Sequence, residues 1–511
     1  MENTSFDTNE QNNVDTAMTI NGDTQITHEA SEEFSLPDYV PEVRRVLLVR
    51  AQPLPESKYL ADNSLEFSGM VTYSLIYTND EGKLCALPLS TSYDAKVGVN
   101  SDTGSTIITT TVDSTTCRVI APRKVSIKTK LKSRVMSFAN SDIGEKITPR
   151  SSADELYIER KKEKINTMEI MNANLQNIRI SEKLDITGEE NIVPIWCDAG
   201  AILTDVKSQT DIVNVRGEIT VKCLCTGENG EVILTKTMPL SEIVEAPNAE
   251  LGDMVKAEAR VVSLSISNEQ TSDKNELFFD LNLELECEIA RNGEIEVTKD
   301  AYSTKYNMET TYKSVDVFTA TREQNASFTV SEGQKRKDKE LSEIISVMAD
   351  PVYEKSEIKG SKINHLGKLL VNILGKSTPD ENGKWEYLSQ SYELPIKYES
   401  DVGKISKNAI SNCTFSLGNT NVRFDDENMF LTAEVFVSYS VYDKNTVELL
   451  DTGILKKESE IKRDSGCVRV CFPRENESLW DIAKKYHTTV NKLMEQNDIS
   501  DQAQIKKSLI V

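Results

Sequence analysis

The sequence has only 3 histidines among 511 residues, which leaves few groups for acid–base catalysis or metal binding near neutral pH. It also has no GxSxG elbow, no HExxH motif, no paired CxxC and no Gly-Lys-Ser/Thr phosphate loop. These absences argue against α/β-hydrolases, zinc peptidases, zinc ribbons and P-loop NTPases. We therefore predict a protein that is not an enzyme and holds no cofactor or metal ion. The alternative is a glycoside hydrolase that uses a pair of unrecognised carboxylates.

Positive charge and long apolar runs are also in short supply. Lys and Arg number 59 against 82 Asp and Glu, which gives a net charge of −23. Such an excess argues against nucleic acids and anionic membrane surfaces as partners, because both are bound through clustered basic residues. No run approaches the ~18 apolar residues of a membrane span. The first residues show neither the basic nor the apolar segment of a signal peptide, so we expect a cytosolic chain without a membrane span.

Cysteine is present, but its number and spacing do not indicate a disulfide framework. There are 9 cysteines, an odd number in a long chain. Cys223 and Cys225 fall on one face of a predicted strand, as do Cys467 and Cys471. The second pair would lie roughly 13 Å apart, beyond the reach of a disulfide. We interpret the cysteines as reduced thiols that serve as small core side chains.

Internal repetition is the strongest positive signal. At ~150 residues per domain, the length predicts three or four domains. Three alternating segments align on Gly69, Gly217 and Gly367, which are 148 and 150 residues apart. Period-two alternation of this quality predicts half-buried strands, and a glycine within such a strand indicates close approach of a neighbouring group. A second long alternating strand begins at Val125, Leu277 and Met429 in the respective copies.

These patterns predict a mainly β fold with three tandem, sandwich-like repeat domains. Their predicted bounds are 36–150, 151–320 and 335–458, after a disordered acidic and polar tail over residues 1–35. Short amphipathic elements at 41–51 and 341–348 are predicted to be helical, and the charged stretches 159–166 and 331–340 to be connectors. One large irregular β protein is the alternative, but it does not explain two such similar spacings.

Residues 467–511 differ in character and predict a small βααβ module, which we call the C-terminal module. The segment NESLWDIAKKYHTTVNKLMEQNDI resembles the LysM family pattern. The resemblance implies a groove for N-acetylglucosamine polymers between two loops, here Pro473–Ser478 and Asn497–Gln504. The matching residues are Leu479, Trp480, Ile482, Ala483, Tyr486, Thr489, Leu493, Asn497 and Ile499.

The repeats resemble a second family. The segment LPDYVPEVRRVLLVRAQ, followed by a strand of the form x-F-x-G-x-V-x-Y-x-L-x-Y, is similar to the SPOCS (DUF3794) unit of endospore-forming bacteria. SPOCS-like units before a terminal LysM domain imply a spore-coat assembly factor in the mother-cell cytoplasm, at the forespore surface. The resemblance further implies that the LysM domain docks onto the coat-basement ATPase SpoIVA.

Residues of the C-terminal module form the predicted partner-binding site. Trp480 is expected on the flank of the first helix, with Lys484 as a basic rim that suits an acidic partner. Val468 and Phe472 share one face of the first strand and would extend the same apolar patch, and Asn497 opens the second loop. The alternative for Trp480 is an indole folded over the edge of a small core. The alternative function is a peptidoglycan or cortex glycan-binding protein.

Overall fold

Strands dominate the fold, as the sequence predicts, and the C-terminal module has the expected two helices. The structure is a computed structural model. It describes residues 16–61, 63–148, 155–184, 192–228, 230–271, 274–337, 340–462, 468–474, 477–500 and 508–511.

Each of the three repeats contains the same series of strands. Repeat 1 has β1 (Thr16–Ser35), β2 (Arg45–Ala61), β3 (Ser64–Thr78), β4 (Leu84–Gly98), β5 (Thr103–Ala121) and β6 (Lys124–Asp142), and β7 (Lys146–Thr148) follows it. Repeat 2 has β8 (Ile158–Asn172), β9 (Gln176–Leu184), β10 (Val193–Gln209), β11 (Ile212–Gly227), β12 (Gly230–Glu245), β13 (Met254–Thr271) and β14 (Lys274–Ser303). Repeat 3 has β15 (Tyr306–Lys335), β16 (Leu341–Lys359), β17 (Lys362–Ser377), β18 (Tyr387–Asp401), β19 (Ile410–Phe424) and β20 (Asn428–Glu460).

Every repeat is a sandwich of two antiparallel sheets with one strand order. The first sheets are β1-β6-β5, β8/β9-β14-β13 and β15-β20-β19, and the second are β2-β3-β4, β10-β11-β12 and β16-β17-β18. The alternating faces predicted from the sequence line the cores. In repeat 2, for example, Val213, Val215 and Ile219 of β11 are fully buried together with Leu281 and Leu283 of β14. Hydrophobic alternation therefore positions both sheets.

The first strand of each repeat was not expected. Residues 16–35 were predicted to belong to a disordered tail, but they form β1, which pairs along its length with β6. Ala17, Ile20 and Ala30 are buried, while polar side chains cover most of the remaining positions. A polar strand of this kind is stabilised by its partner and has little hydrophobic signal of its own. Residues 1–15 of the predicted tail lie outside the described residues.

The same strand moves the boundaries of the repeats. The sandwiches begin at Thr16, Ile158 and Tyr306 rather than at residues 36, 151 and 335. Residues 159–166, predicted to be a connector, lie in β8, and residues 331–335 of the other predicted connector lie in β15. The predicted short helices fall largely in β2 and in β16, and neither forms. Their apolar spacing fits either structure over so few residues, and their β-branched Val and Ile favour strands.

The three aligned glycines occupy one structural position, as predicted. A Cβ atom on Gly69, Gly217 or Gly367 would lie closer than 3.0 Å to a carbonyl oxygen of the neighbouring strand. The oxygens belong to Leu54, Ile202 and Val352, and a bulge follows directly in each of these strands. Glycine allows the backbone next to the bulge to approach the middle strand of the sheet closely.

The three repeats form a closed ring around a common axis. Strand β4 contacts β10, β12 contacts β16, and β18 returns to contact β2. Equivalent residues of the three middle strands, Ile76, Leu224 and Leu374, meet in one buried cluster. Near these residues both faces of each middle strand are therefore buried, one face inside its own sandwich and the other on the axis of the ring. Phe138, Ala290 and Tyr442 are a similar set in a second cluster. The full first cluster consists of Leu47, Leu48, Ile76, Leu84, Trp196, Leu224, Met348, Leu374 and Tyr387.

Arg50 ties the three repeats together. Its guanidinium donates to Asp198 of repeat 2 at 2.5 Å and to Asp350 of repeat 3 at 2.6 Å, and its side chain is only 11% exposed. Burial lowers the pKa of Arg50, but the two carboxylates outweigh this effect and raise it. Asp198 occupies the position in repeat 2 that Arg50 occupies in repeat 1. One cation is thus shared by two anions from the other two copies.

Candidate functional site

The C-terminal module folds as predicted. Strands β21 (Val470–Cys471) and β22 (Leu509–Ile510) pair antiparallel, with α1 (Leu479–Tyr486) and α2 (Val490–Gln496) between them. A capping box begins α1: Asp481 N–H donates to the Ser478 hydroxyl at 3.2 Å, and Ser478 N–H donates to the Asp481 carboxylate at 2.9 Å. Leu479, Ile482 and Leu493 are buried in the core between the two helices and the strands.

Trp480 lies on the flank of α1, and this flank faces repeat 2. Its indole N–H donates to Asp300 Oδ2 at 2.8 Å. Its ring packs edge-on against Tyr302, with the ring centroids 4.9 Å apart. Neither the exposed anchor nor the indole folded only over its own core describes this arrangement. Trp480 instead contacts the end of β14, which the sequence could not indicate because 180 residues separate the two side chains.

Lys484 joins the same contact. Its ammonium lies 2.7 and 2.8 Å from the two carboxylate oxygens of Asp300. Burial raises the pKa of Asp300, but hydrogen bonds from Lys484, Trp480 and Tyr312 outweigh burial and hold it below its usual value. Tyr302 adds a hydrogen bond from its hydroxyl to the Thr488 carbonyl at 2.7 Å.

We call the set of Asp300, Tyr302 and Ser303 the repeat-2 dock. The third member, Ser303, has its carbonyl oxygen 3.1 Å from His487 Nδ1. His487 has a positive φ of 53° and ends α1, so its ring turns back toward β14. The dock therefore holds the module by the last turn of α1 as well as by the first.

Asn497 was predicted to contact a partner, but its role is structural and its side chain is not available to one. Its side chain is buried, and its amide donates to the carbonyl oxygens of Leu493 and Ile510 at 2.8 Å each. Ile510 N–H donates back to Asn497 Oδ1 at 2.7 Å. The asparagine thus connects the end of α2 to β22. Because Asn497 begins the second loop, its side chain was expected to contact a partner at the groove. In the tertiary fold the side chain points inward instead.

Val468 and Phe472 are exposed, but they do not extend the surface around Trp480. Their exposed fractions are 77% and 75%, whereas Trp480 is partly buried against the repeat-2 dock. Val470, 52% exposed, lies between them in sequence and pairs with Ile510, 44% exposed. Cys471 points the other way and is buried. We call Val468, Val470, Phe472 and Ile510 the apolar ribbon face.

The two loops of the implied glycan groove lie at the other ends of the helices from the His487 turn. Arg474 is exposed in the first loop, as are Asp498 and Ser500 in the second. Residues 475–476 of the first loop and 501–504 of the second lie outside the described residues. The helix flank docks on repeat 2, whereas Arg474, Asp498 and Ser500 of the loops stay accessible.

A second recess lies on the axis of the ring and has a volume of about 1280 Å³. Strand β2 lines it from repeat 1, β10 from repeat 2 and β16 from repeat 3. Arg50, Lys222, Arg260 and Lys337 are basic groups at its wall. The donors of Arg50 are directed to Asp198 and Asp350. Within the described ranges, no group of three or more His, Cys, Asp and Glu residues is placed to hold a metal ion.

Comparison with known proteins agrees with the geometry of the module. Residues 474–506 match the family model of the LysM domain. No curated protein and no solved structure matches the chain. The protein is therefore a β-sandwich repeat protein with a LysM domain, and that domain indicates binding to carbohydrate of the peptidoglycan type. The resemblance of the repeats to the SPOCS family stays a prediction. None of the described helices is long and apolar enough to cross a membrane.

Proposed function

We propose that the protein is a non-catalytic assembly factor of the bacterial spore envelope, similar to the spore morphogenetic protein SipL. In this proposal it acts in the mother-cell cytoplasm at the forespore surface. Its LysM domain docks onto a coat-basement ATPase of the SpoIVA type and promotes coat assembly. The SPOCS-like motifs of the repeats and the order of repeats before a LysM domain support this assignment.

The apolar ribbon face is the single observation that carries the docking function. Three of its side chains, Val468, Val470 and Phe472, alternate along one face of the first strand and are all more than half exposed. Apolar and aromatic side chains at the centre of a surface favour a protein partner, since protein interfaces are enriched in them. The face lies away from the repeat-2 dock, so a partner would reach it without displacing the module.

The ring of repeats supports a scaffold role. Its three copies are connected through buried clusters and through Arg50, which makes a rigid platform for the LysM domain. The histidines are occupied in structural contacts: His28 with Ser133, His365 with Ser356 and His487 with Ser303. A non-catalytic function is consistent with these contacts.

Affinity purification of the tagged full-length chain from sporulating cells tests the proposal. We expect the ATPase to co-purify with the unaltered chain and to be lost from the double variant Val468→Asp, Phe472→Asp. Leu251→Asp is the matched control, because Leu251 is an apolar side chain of repeat 2 that is 82% exposed. Unchanged recovery of the ATPase by a double variant with normal circular dichroism would contradict the proposal.

Peptidoglycan or cortex glycan binding is the second candidate, and the LysM match at residues 474–506 favours it. Purified peptidoglycan separates the two functions. Saturable binding that Arg474→Ala weakens and the double variant of the apolar ribbon face retains would assign the domain to glycan. Absence of saturable binding, together with recovery of the ATPase, would assign it to a protein partner.

A further inference from the structure

Three thiols meet inside repeat 2. Cys197 lies on β10 and is paired across the sheet with Cys223 on β11, and their Sγ atoms are 3.1 Å apart. Cys225 lies two residues further along β11, with its Sγ atom 3.3 Å from that of Cys223. All three are free thiols in the structure. The sequence drew attention to Cys223 and Cys225 but could not place Cys197 beside them.

Packing of the sandwich does not require these thiols. The cross-strand pair equivalent to Cys197 and Cys223 is Val49 with Leu75 in repeat 1. In repeat 3 it is Val347 with Ile373. Two of three copies thus fill the site with aliphatic side chains, and the fold accepts them. The thiol pair is a property of repeat 2 alone.

The thiols differ in accessibility. Cys197 is half-buried, whereas Cys223 and Cys225 are fully buried. The hydrogen bond with Cys197, and then burial, raises the pKa of Cys223. The hydrogen bond with Cys223, together with burial, raises that of Cys225. Because thiolates are the reactive form and the buried thiols stay protonated, a reagent from solution meets Cys197 first.

We propose that Cys197 and Cys223 form a reversible cross-strand disulfide by exchange with a low-molecular-weight disulfide. Directly opposite residues of antiparallel strands have Cα atoms about 4.5 to 5.5 Å apart. This separation lies within the range of about 4.4 to 6.8 Å that a disulfide spans, so the strands need not move. Cys223 and Cys225 are less suitable, because residues two apart in a strand are about 6.6 Å distant with parallel side chains.

The exchange proceeds in two balanced steps. The Cys197 thiolate attacks one sulfur of the small disulfide, forms a mixed disulfide and releases one small thiolate, which takes up a proton. The Cys223 sulfur then attacks Cys197 Sγ and expels the second small thiolate, which takes up the proton that Cys223 gives up. The two cysteines are oxidised by two electrons, and the small disulfide is reduced to two thiols.

The test uses the full-length chain and oxidised glutathione as the probe. After equilibration, the chain is unfolded in urea so that every remaining thiol is alkylated with N-ethylmaleimide, and it is then digested and analysed by mass spectrometry. We expect two of the 9 cysteines to be protected and one peptide pair to be joined through Cys197 and Cys223. Dithiothreitol should reverse the link in the folded protein. A Cys197 that carries only glutathione, or a link between other cysteines, would overturn the proposal.

The other repeats supply matched variants. The substitutions Cys197→Val and Cys223→Leu introduce the residues that repeat 1 has at these positions. Both variants are therefore expected to fold and to lose the disulfide link. Cys117→Val removes a half-buried thiol of repeat 1 and is expected to leave the link unchanged. Continued protection of two thiols in Cys197→Val would also overturn the proposal.

Discussion

Trp480 of the LysM domain donates its indole N–H to Asp300 of repeat 2 at 2.8 Å, across the boundary between the module and the ring. Trp480, which was predicted to bind a partner, therefore binds repeat 2 of the same chain. Its contact fixes the orientation of the LysM domain and leaves accessible the apolar ribbon face and the loop residues Arg474, Asp498 and Ser500.

Adjacent lysines of α1 provide a matched test of the dock. Lys484 contacts Asp300, whereas Lys485 is 4.0 Å from Glu477 of its own module and its side chain is 52% exposed. We expect Lys484→Ala to weaken docking and to accelerate hydrogen exchange of β14 near Tyr302, with Lys485→Ala unchanged. The half-buried pair is expected to contribute about 1 kcal/mol. Equal exchange in both variants would show that Lys484 does not hold the module.

Docking should also depend on pH. The pKa of Asp300 in the folded chain lies below its usual value, so its ion pair stabilises the dock fully above the unfolded-state pKa. This contribution is lost as the pH falls through the lowered pKa. The protection factors of amides at the dock, which are exchange rates corrected for intrinsic exchange at each pH, should therefore be constant from pH 7 to 5 and fall at more acidic pH. The variant Asp300→Asn should lack this acid-dependent step, and a step that persists in it would assign the titration to another group.

Gly217 should be intolerant of any side chain. A Cβ atom there would meet the backbone of Ile202 and Leu203, which cannot rotate away. We expect Gly217→Ala to lower the free energy of unfolding by about 1 to 3 kcal/mol through overpacking. Gly200→Ala on the neighbouring strand β10 is the control, since nothing lies within 4 Å of its Cβ position. Urea denaturation measures both, and similar midpoints would contradict the close approach.

Of the ionic residues of the ring, Arg50 should cause the largest loss of stability when it is replaced by alanine. Arg50→Ala leaves Asp198 and Asp350 without their shared cation, and removal of one partner from a buried ion pair costs about 3 to 5 kcal/mol. Arg45→Ala on the same strand is the control, because Arg45 is 53% exposed and lies 3.8 Å from Glu386. Its loss should cost less than about 1 kcal/mol. Thermal unfolding of the two variants compares them directly.

His365 should make repeat 3 less stable in mild acid. Its ring is fully buried, Nδ1 lies 2.8 Å from the Ser356 hydroxyl, and burial lowers its pKa to about 4. The unfolded chain binds a proton at pH ~6.5 and the folded chain does not, so stability is complete above 6.5 and falls toward pH 4. The loss should be roughly 3 kcal/mol at 1.36 kcal/mol per pKa unit.

Repeat 1 has Phe67 at the position equivalent to His365, which makes His365→Phe a natural control. Urea denaturation at pH 7, 5.5 and 4.5 should show a smaller decline for the variant than for the unaltered chain. The difference isolates His365 from His28, whose pKa burial also lowers. Parallel curves would mean that His365 does not titrate in this range.

The fold was predictable where burial of one face of a strand produces a regular alternation of apolar and polar residues in the sequence. Alternation around Gly217 and from Leu277 gave both core strands of repeat 2, and the 148- and 150-residue spacings gave the number of repeats. Strand β1 was missed because its polar side chains depend on pairing with β6. The helix predicted over residues 341–348 failed because eight residues do not distinguish a period of 3.6 from a strand buried on both faces.

The site was predictable only within the module. The capping box at Ser478 and the core of α1 are local and followed from spacing. The partner of Trp480 did not, since contact with Asp300 depends on how the module sits on the ring. Asn497 was misplaced for a different reason, within the module itself: its hydrogen bonds to Leu493 and Ile510 are made only when β22 returns to the core.

The contacts of Arg50 depend on the covalent linkage of the three repeats in one chain. A homotrimer of identical subunits places the same residue at all three equivalent positions, so its axis would carry three arginines or three aspartates. Joining three copies in one chain lets Arg50 face Asp198 from the equivalent site of repeat 2. Met348 occupies that site in repeat 3, and Asp350 reaches Arg50 from two residues further along β16. Tandem fusion thus permits heterologous contacts in a pseudosymmetric ring, and each copy can diverge without triplicating the change.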